Sequence, residues 1–252
     1  MNIIFASYGN DSIALIQLAH EKGMKEVTVA YSDTGWAADY WPARVVKAEE
    51  WAQSLGFKTV RIPGMTMEEL VEWKKAWPRG GGGKYQFCTM HLKELPALEW
   101  MSKIDPDGDA VCMVGIRRCE SANRALFPEW TEESEAHGMR SLHAPLVRHD
   151  DEARNTLILK TPMPILATRS KECWPCVNAR QPELKQLQES AIVRIEVIEQ
   201  RAGINSKGNP RVMFSPKRHG GAVGIRAVVE HAKKNSDDLF SPGGCDGGWC
   251  GS

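Results

Sequence analysis

The first nineteen residues constrain the chain most. An apolar run from Ile3 to Ala6 stops in the turn Ser7-Tyr8-Gly9-Asn10-Asp11-Ser12 and passes straight into Ile13-Ala14-Leu15-Ile16-Gln17-Leu18-Ala19, a helical pattern. A strand that ends in a glycine-bearing turn and restarts as a helix opens a βαβ unit. The pattern then recurs. Val27 to Tyr31 predicts a strand stopping at Ser32-Asp33-Thr34-Gly35, Trp41 to Leu55 a helix, Thr59 to Ile62 a third strand and Met67 to Ala76 another helix. His91 to Met101, around Pro96, predicts a helix, and Ala110 to Val114 an apolar strand closed by Gly115. Leu142 to Leu146 and Thr156 to Leu159 are weaker strand candidates. Strands alternating with helices specify an α/β fold with a doubly wound, mostly parallel sheet, although the strand order is not legible.

The character changes near Cys173. Glu183 to Arg201 is a long amphipathic stretch, and Pro242 to Ser252 is almost all Gly, Cys and Trp. The expected organisation is an α/β domain over 1–170 and a helical, cysteine-rich extension over 171–252. Gly80 to Gly83 are four consecutive glycines, which predict a mobile loop. Among 252 residues, 32 Lys+Arg balance 32 Asp+Glu, so bulk charge gives no argument for nucleic acid or an anionic membrane. No apolar stretch is long enough to span a bilayer, and the start lacks the basic region of a secretory signal. The expectation is a cytoplasmic protein without a membrane partner. Seven cysteines, an odd number, then point to reduced thiols used as ligands or reagents rather than to disulfides.

The turn Ser7 to Ser12 lies where a parallel strand gives way to a helix. First-turn N–H groups there lack internal partners and carry the positive end of the helix dipole. A phosphate fits such a site, held by backbone N–H groups and the Ser7 and Ser12 hydroxyls, with Gly9 permitting close approach. Asp11 beside a phosphate implies an intervening cation, read as Mg²⁺. The competing reading is that Asn10 or Asp11 merely caps the helix.

These residues resemble a family. Ser-x-Gly-x-Asp-Ser after a first strand is similar to the pyrophosphate loop of the adenine-nucleotide α-hydrolase-like superfamily. Asp33-Thr34-Gly35, Phe87-Cys88-Thr89 with Leu92-Lys93 and Pro96, and Gly115-Ile116-Arg117-Arg118 with Glu120-Ser121 and Arg124 resemble blocks of its phosphoadenosine phosphosulfate (PAPS) reductase-like branch. The resemblance implies an enzyme that binds ATP or PAPS at the carboxyl ends of its strands. Arg117, Arg118 and Arg124 would clamp phosphate or sulfate with forked donors, against the alternative of a solvated basic face. Lys93 would place a compact charge on the separating pyrophosphate. Two departures stand out. Tyr8 replaces a glycine usual in the ATP-cleaving loop, and the Glu-Cys-Gly-His type of segment of the reductases is absent, with Trp249-Cys250-Gly251-Ser252 only distantly similar. Cys119 stands where an acidic residue is more usual.

Cys173-Trp174-Pro175-Cys176 and the pair Cys245 and Cys250 form two close thiol pairs. Together they suit a four-thiolate centre, read as [4Fe-4S] with Zn²⁺ as the alternative. A redox Cys-x-x-Cys and free tail thiols are the competing readings. Cys88, at the start of a helix, is a candidate catalytic thiol or sulfur relay whose pKa the dipole would lower, or else a packing residue. Cys112 is expected in the core. Trp36, Trp41, Trp51, Trp73 and Trp77 are expected to pack or line a pocket rather than stack on nucleic-acid bases.

The leading expectation is a sulfur-handling enzyme that cleaves ATP between its α- and β-phosphates, adenylates an acceptor and then transfers sulfur. The acceptor, whether nucleobase, nucleic-acid backbone or small molecule, and the sulfur donor are not legible, nor is the oligomeric state. The alternatives are reduction of PAPS or adenosine phosphosulfate by a thioredoxin-like reductant, and a non-catalytic nucleotide-binding module.

Overall fold

A computed structural model describes residues 1–81 and 85–235. Its strands are β1 (Asn2–Phe5), β2 (Val27–Ser32), β3 (Lys58–Ile62), β4 (Val111–Met113), β5 (Trp130–Ser134) and β6 (Arg140–His143), in the sheet order β3-β2-β1-β4-β6-β5. All neighbouring pairs are parallel except β5 against β6. The helices are α1 (Asn10–Glu21), α2 (Trp41–Ser54), α3 (Met67–Lys74), α4 (Phe87–Thr89), α5 (Leu95–Ile104), α6 (Asp151–Ile158), α7 (Gln181–Lys185), α8 (Glu189–Ala202) and α9 (Ile225–Lys234). A π-helical turn, Met90–Glu94, joins α4 to α5.

The central strand explains the layering. Ile3 and Ile4 are both fully buried on β1, as a parallel strand covered on two faces requires. Ile4, Val29 and Met113 join α1, α2 and α3 in one apolar cluster, whereas Ile3, Ala30 and Cys112 pack with Ala97 and Met101 of α5 on the other face. The sheet is therefore wound on both sides. The larger cluster continues from Ile4 through Trp174, Leu184 and Ile195 to Val229 and Ala232, so helices beyond residue 171 share the core of the sheet. α9 shows why: Ile225, Val228, Val229 and Ala232 recur at helical spacing and are buried.

β1 has β2 on one side and β4 on the other, and its outgoing connections diverge there. Such a switch point opens a crevice at the carboxyl ends of the strands. The turn after β1 and the segment Gly115 to Arg124 after β4 flank it.

Several local expectations are corrected. Thr156 to Leu159 is not a strand. Asp150 caps α6 by accepting the Ala153 N–H at 2.8 Å, and Leu157 and Ile158 turn their apolar faces inward from a helix. A short apolar run does not by itself distinguish the two structures. The amphipathic stretch from Glu183 to Arg201 divides into α7 and α8. β5, with its half-exposed Trp-Thr-Glu-Glu-Ser sequence, is an edge strand that the apolar pattern did not mark. Trp73 is 57% exposed rather than in the core, in contrast to Trp36 and Trp41. Gly82, Gly83, Lys84, and the tail containing Cys245 and Cys250, lie outside the described residues.

Candidate active site

Gly9 is the N-cap of α1 and brings no side chain to cap the first turn. It also permits close packing, because a Cβ there would lie 2.8 Å from the Cβ of Ser170. The Ser7 hydroxyl accepts from the Gly9 N–H at 3.2 Å, and Ser12 Oγ donates to the Gly9 carbonyl at 3.2 Å. Tyr8 takes φ 56°, the left-handed region usual for glycine, with its ring fully buried against Tyr31. Burial raises its phenol pKa above the ordinary range. Asn10 uses its side-chain amide on the backbone of Leu166, donating to the carbonyl and accepting from the N–H, both at 2.9 Å.

Asp11 is buried, and its Oδ1 accepts from Arg117 Nε at 2.5 Å, with Arg154 Nη1 at 3.7 Å. Burial opposes the Arg117 charge, but Asp11 outweighs it and raises the guanidinium pKa. As arranged, this carboxylate does not fit a Mg²⁺ ligand, since a divalent cation would meet two guanidinium groups. Gly115 allows β4 to approach α1, because a Cβ there would lie 3.1 Å from the Asp11 backbone.

A cavity of about 550 Å³ lies next to this turn. Its wall includes Thr34, Cys88, Lys93, Glu120, Ser121 and Arg124 from the sequence-derived set, together with Cys173 and Cys176. The Ser7–Ser12 turn approaches it at Gly9, which packs close to Ser170 of the wall. Asp33 supports the turn after β2, its Oδ1 accepting from the Gly35 N–H at 3.0 Å, while Gly35 itself sits at φ 60° against Thr66. Arg118 points elsewhere, donating to the Phe127 carbonyl at 2.9 Å. Arg117 and Glu120 also line a second cavity of about 510 Å³ with Cys119, Asp150, Asp151 and Glu152. Cys119 Sγ accepts from Arg117 Nη1 at 3.1 Å, which gives this unassigned thiol a contact.

Three basic residues on the wall are matched by carboxylates. Lys93 meets Glu172 at 2.5 Å, Arg124 meets Glu120 at 2.5 Å, and Arg169 forks onto Glu183 at 2.7 and 2.8 Å. Burial works against the Lys93 ammonium, but Glu172 more than compensates and raises its pKa. Pairing makes a buried charge tolerable. An anion would have to displace a carboxylate to reach any of these three cations.

Burial pushes the Cys88 thiol up to about 11, the reverse of the lowering expected from a helix start. The helix that starts here runs on through the π turn into α5, but burial outweighs what its first-turn N–H groups offer the thiol. Burial likewise raises Cys173. Cys88, Cys173 and Cys176 share the cavity, and a charge on Cys176 would oppose one on Cys88. Cys173 and Cys176 both line the cavity, and among the described residues no group of three or more His, Cys, Asp or Glu is placed to hold a metal ion. Cys112 is fully buried beneath Met101, as expected.

Sequence reasoning missed Arg44, Arg169, Ser170 and Glu172. Arg44 carried a signal, since it interrupts the apolar face of α2 formed by Trp41, Val45, Ala48 and Trp51. The other three had only their nearness to the Cys-x-x-Cys.

Comparison with known proteins places this geometry among relatives. A curated relative, an uncharacterised 37.8 kDa protein from the gpa 5′ region of Escherichia phage 186, is 25% identical over 245 residues, covering 74% of this chain and 70% of its own. Similar solved structures include phosphoadenylyl-sulfate (PAPS) reductase from Candida auris in its phosphate complex, at 17% identity and TM-score 0.45, covering 65% of this chain and 74% of that one. NMN synthetase from Francisella tularensis is another, at 14% identity and TM-score 0.47, covering 80% and 84%. Residues 2–196 match the family model of the phosphoadenosine phosphosulfate reductase domain, and the chain belongs to that family.

Proposed function

We propose that the protein is an adenine-nucleotide-dependent enzyme of sulfur chemistry that cleaves ATP between its α- and β-phosphates. An acceptor oxygen attacks the α-phosphorus, the bridging P–O bond breaks and pyrophosphate leaves. A sulfur nucleophile then bonds to the activated acceptor atom as AMP departs with the oxygen. The observation that carries this reading is the cavity that gathers Cys88, Cys173 and Cys176 with Lys93 and Arg124 beside the turn at the start of α1.

In this scheme the Ser7–Ser12 turn holds the polyphosphate through backbone N–H groups and the two serine hydroxyls. Thr34, held in the turn that Asp33 and Gly35 shape, would border the nucleoside, and Glu120 and Ser121, which follow the close approach that Gly115 allows, would form the opposite wall. Lys93 leaves Glu172 to neutralise the departing pyrophosphate, and Arg117 and Arg124 orient the phosphates. Arg118 is held outside the cavity and serves the fold of that loop. Asp11 holds Arg117 in place, and no step is routed through Mg²⁺. Cys88, a neutral thiol at rest because burial raises its pKa, would take a sulfur atom from a sulfane-sulfur donor as a persulfide. The outer sulfur attacks the adenylated atom as AMP leaves, and a dithiol reductant then cleaves the S–S bond, freeing the thiolated acceptor and Cys88 and becoming a disulfide itself. Cys173 and Cys176, with Cys245 and Cys250, would hold a [4Fe-4S] cluster or Zn²⁺, which when bound supplies a sulfur-binding Lewis acid. Incubation with ATP, Mg²⁺ and candidate acceptors is expected to yield AMP and pyrophosphate; ADP and phosphate would overturn the scheme.

The Asp11–Arg117 pair favours a second reading. Reduction of PAPS or adenosine phosphosulfate needs no cation at that carboxylate. Two thiols would take up the sulfonyl group and release sulfite, forming a disulfide that a thioredoxin-like reductant reopens. Sulfite formation that depends on the reductant and is lost in Cys88→Ser would favour it over ATP cleavage.

A further inference from the structure

The chain runs from Leu159 to Arg180 between α6 and α7 without regular secondary structure. Loops of more than about 12 to 15 residues are uncommon inside a compact fold and are usually functional. This one is tied to both turns of the candidate nucleotide site. At the turn after β1, Arg44 Nε donates to the Tyr8 carbonyl at 2.8 Å while Nη1 donates to the Pro164 carbonyl at 3.2 Å. Asn10 makes its two bonds to the Leu166 backbone, and Ser170 fills the space that Gly9 leaves.

At the turn after β2, the Ala38 N–H donates to the Lys171 carbonyl at 3.0 Å and Thr34 Oγ1 to the Glu172 carbonyl at 3.4 Å. The Trp174 N–H donates to the Trp36 carbonyl at 2.7 Å, and Trp36 Nε1 donates to the Pro175 carbonyl at 2.9 Å. The thiols of Cys173 and Cys176 follow at once.

We propose that residues 164–175 form a strap that sets the position of the Cys173 and Cys176 thiols relative to the nucleotide phosphates, with Asn10 and Arg44 as its positioning residues. Asn10 then works by tying Leu166 to the first turn of α1. Arg44 bonds both the left-handed Tyr8 and the strap, so a shift of the turn moves Pro164 as well. The proposal rests on the reading that nucleotide phosphates sit at Ser7–Ser12. It adds that their arrival is felt at the thiols through the strap.

Hydrogen exchange read by mass spectrometry tests this, with ATP and, separately, PAPS at concentrations that saturate each protein. In the wild type, nucleotide is expected to slow exchange at residues 7–12 and also at 164–175, the latter by about fivefold or more, the lower end of ordinary coupling between sites. In Asn10→Ala, at nucleotide concentrations that saturate this variant, the added protection at 164–167, the part of the strap away from the cavity wall, is expected to fall. Arg44→Lys, which keeps the buried cation but reaches only one carbonyl, gives a second variant with partial uncoupling. Nucleotide-dependent protection of the strap that survives in both variants would overturn the proposal while leaving the nucleotide reading intact. Failure of the wild type to bind either nucleotide would overturn both.

Discussion

Tyr8 carries two costs at one position. A non-glycine residue in the left-handed region loses about 1–2 kcal/mol, and its buried hydroxyl has no hydrogen-bond partner among the described residues. The compensation is a fully buried ring on Tyr31. Tyr8→Phe keeps the ring and removes the stranded hydroxyl, so urea denaturation is expected to show a change between neutral and about 1 kcal/mol stabilising. Tyr8→Gly relieves the backbone but empties the site, and a loss of about 3 kcal/mol is expected instead. Cys88 gives a second prediction at this scale. Since burial raises its pKa to about 11, its alkylation rate, isolated by comparison with Cys88→Ser, should climb with pH well past 9. A plateau by pH 9 would show that the thiol is activated and not merely sheltered.

The contact between β4 and α1 depends on the absence of a side chain at Gly115. Adding a methyl group there places it 3.1 Å from the Asp11 backbone. Gly115→Ala is expected to cost about 1–3 kcal/mol and to weaken ATP binding together with stability, because the first turn of α1 must shift. Unchanged affinity by calorimetry would show that this turn is not the phosphate site. Gly115 was visible in the sequence because it closes an apolar strand, as were β1, β2, β3, α1 and α2, whose patterns are strongly periodic. β5 and α6 were not. The first has an exposed edge sequence without apolar alternation, and the second is marked by the Asp150 cap rather than by periodicity. The cavity wall was legible where residues follow a strand closely, as at Thr34 after β2 and Glu120, Ser121 and Arg124 after β4. The site was illegible along 164–172, where the roles of Ser170 and Glu172 come from long-range contacts that no local pattern encodes.

Among the described residues one principal core joins both ends of the chain. Because the cluster that starts at Ile4 ends at Ala232, near- and far-ultraviolet circular dichroism are expected to report one coincident urea transition. Two separated transitions would divide the chain instead. Acid stability has a specific weak point. His137 is buried beneath Phe5, its Nδ1 2.8 Å from Ser134 Oγ, and burial lowers its pKa to about 4. The unfolded imidazole titrates near pH 6.5, so between those values the unfolded chain binds the extra proton and stability falls as pH falls. The slope from this group alone approaches about 1.4 kcal/mol per pH unit. His137→Gln should flatten the fall between pH 6.5 and 5 in urea titrations, and an unaltered slope would assign the acid sensitivity elsewhere.

The two borders of the sheet bear on how this protein behaves when crowded. At one side β3 carries Lys58 and Arg61, the latter pinned to Glu49 at 2.8 Å. At the other, β5 pairs antiparallel, breaks register between Thr131 and Ser134 and displays Glu132 and Glu133. A charged margin and a distorted margin both refuse a further strand. A sheet rich in buried Ile and Val, which could template fibrils if its rims were smooth and apolar, is therefore guarded at one rim by charged side chains and at the other by a broken register.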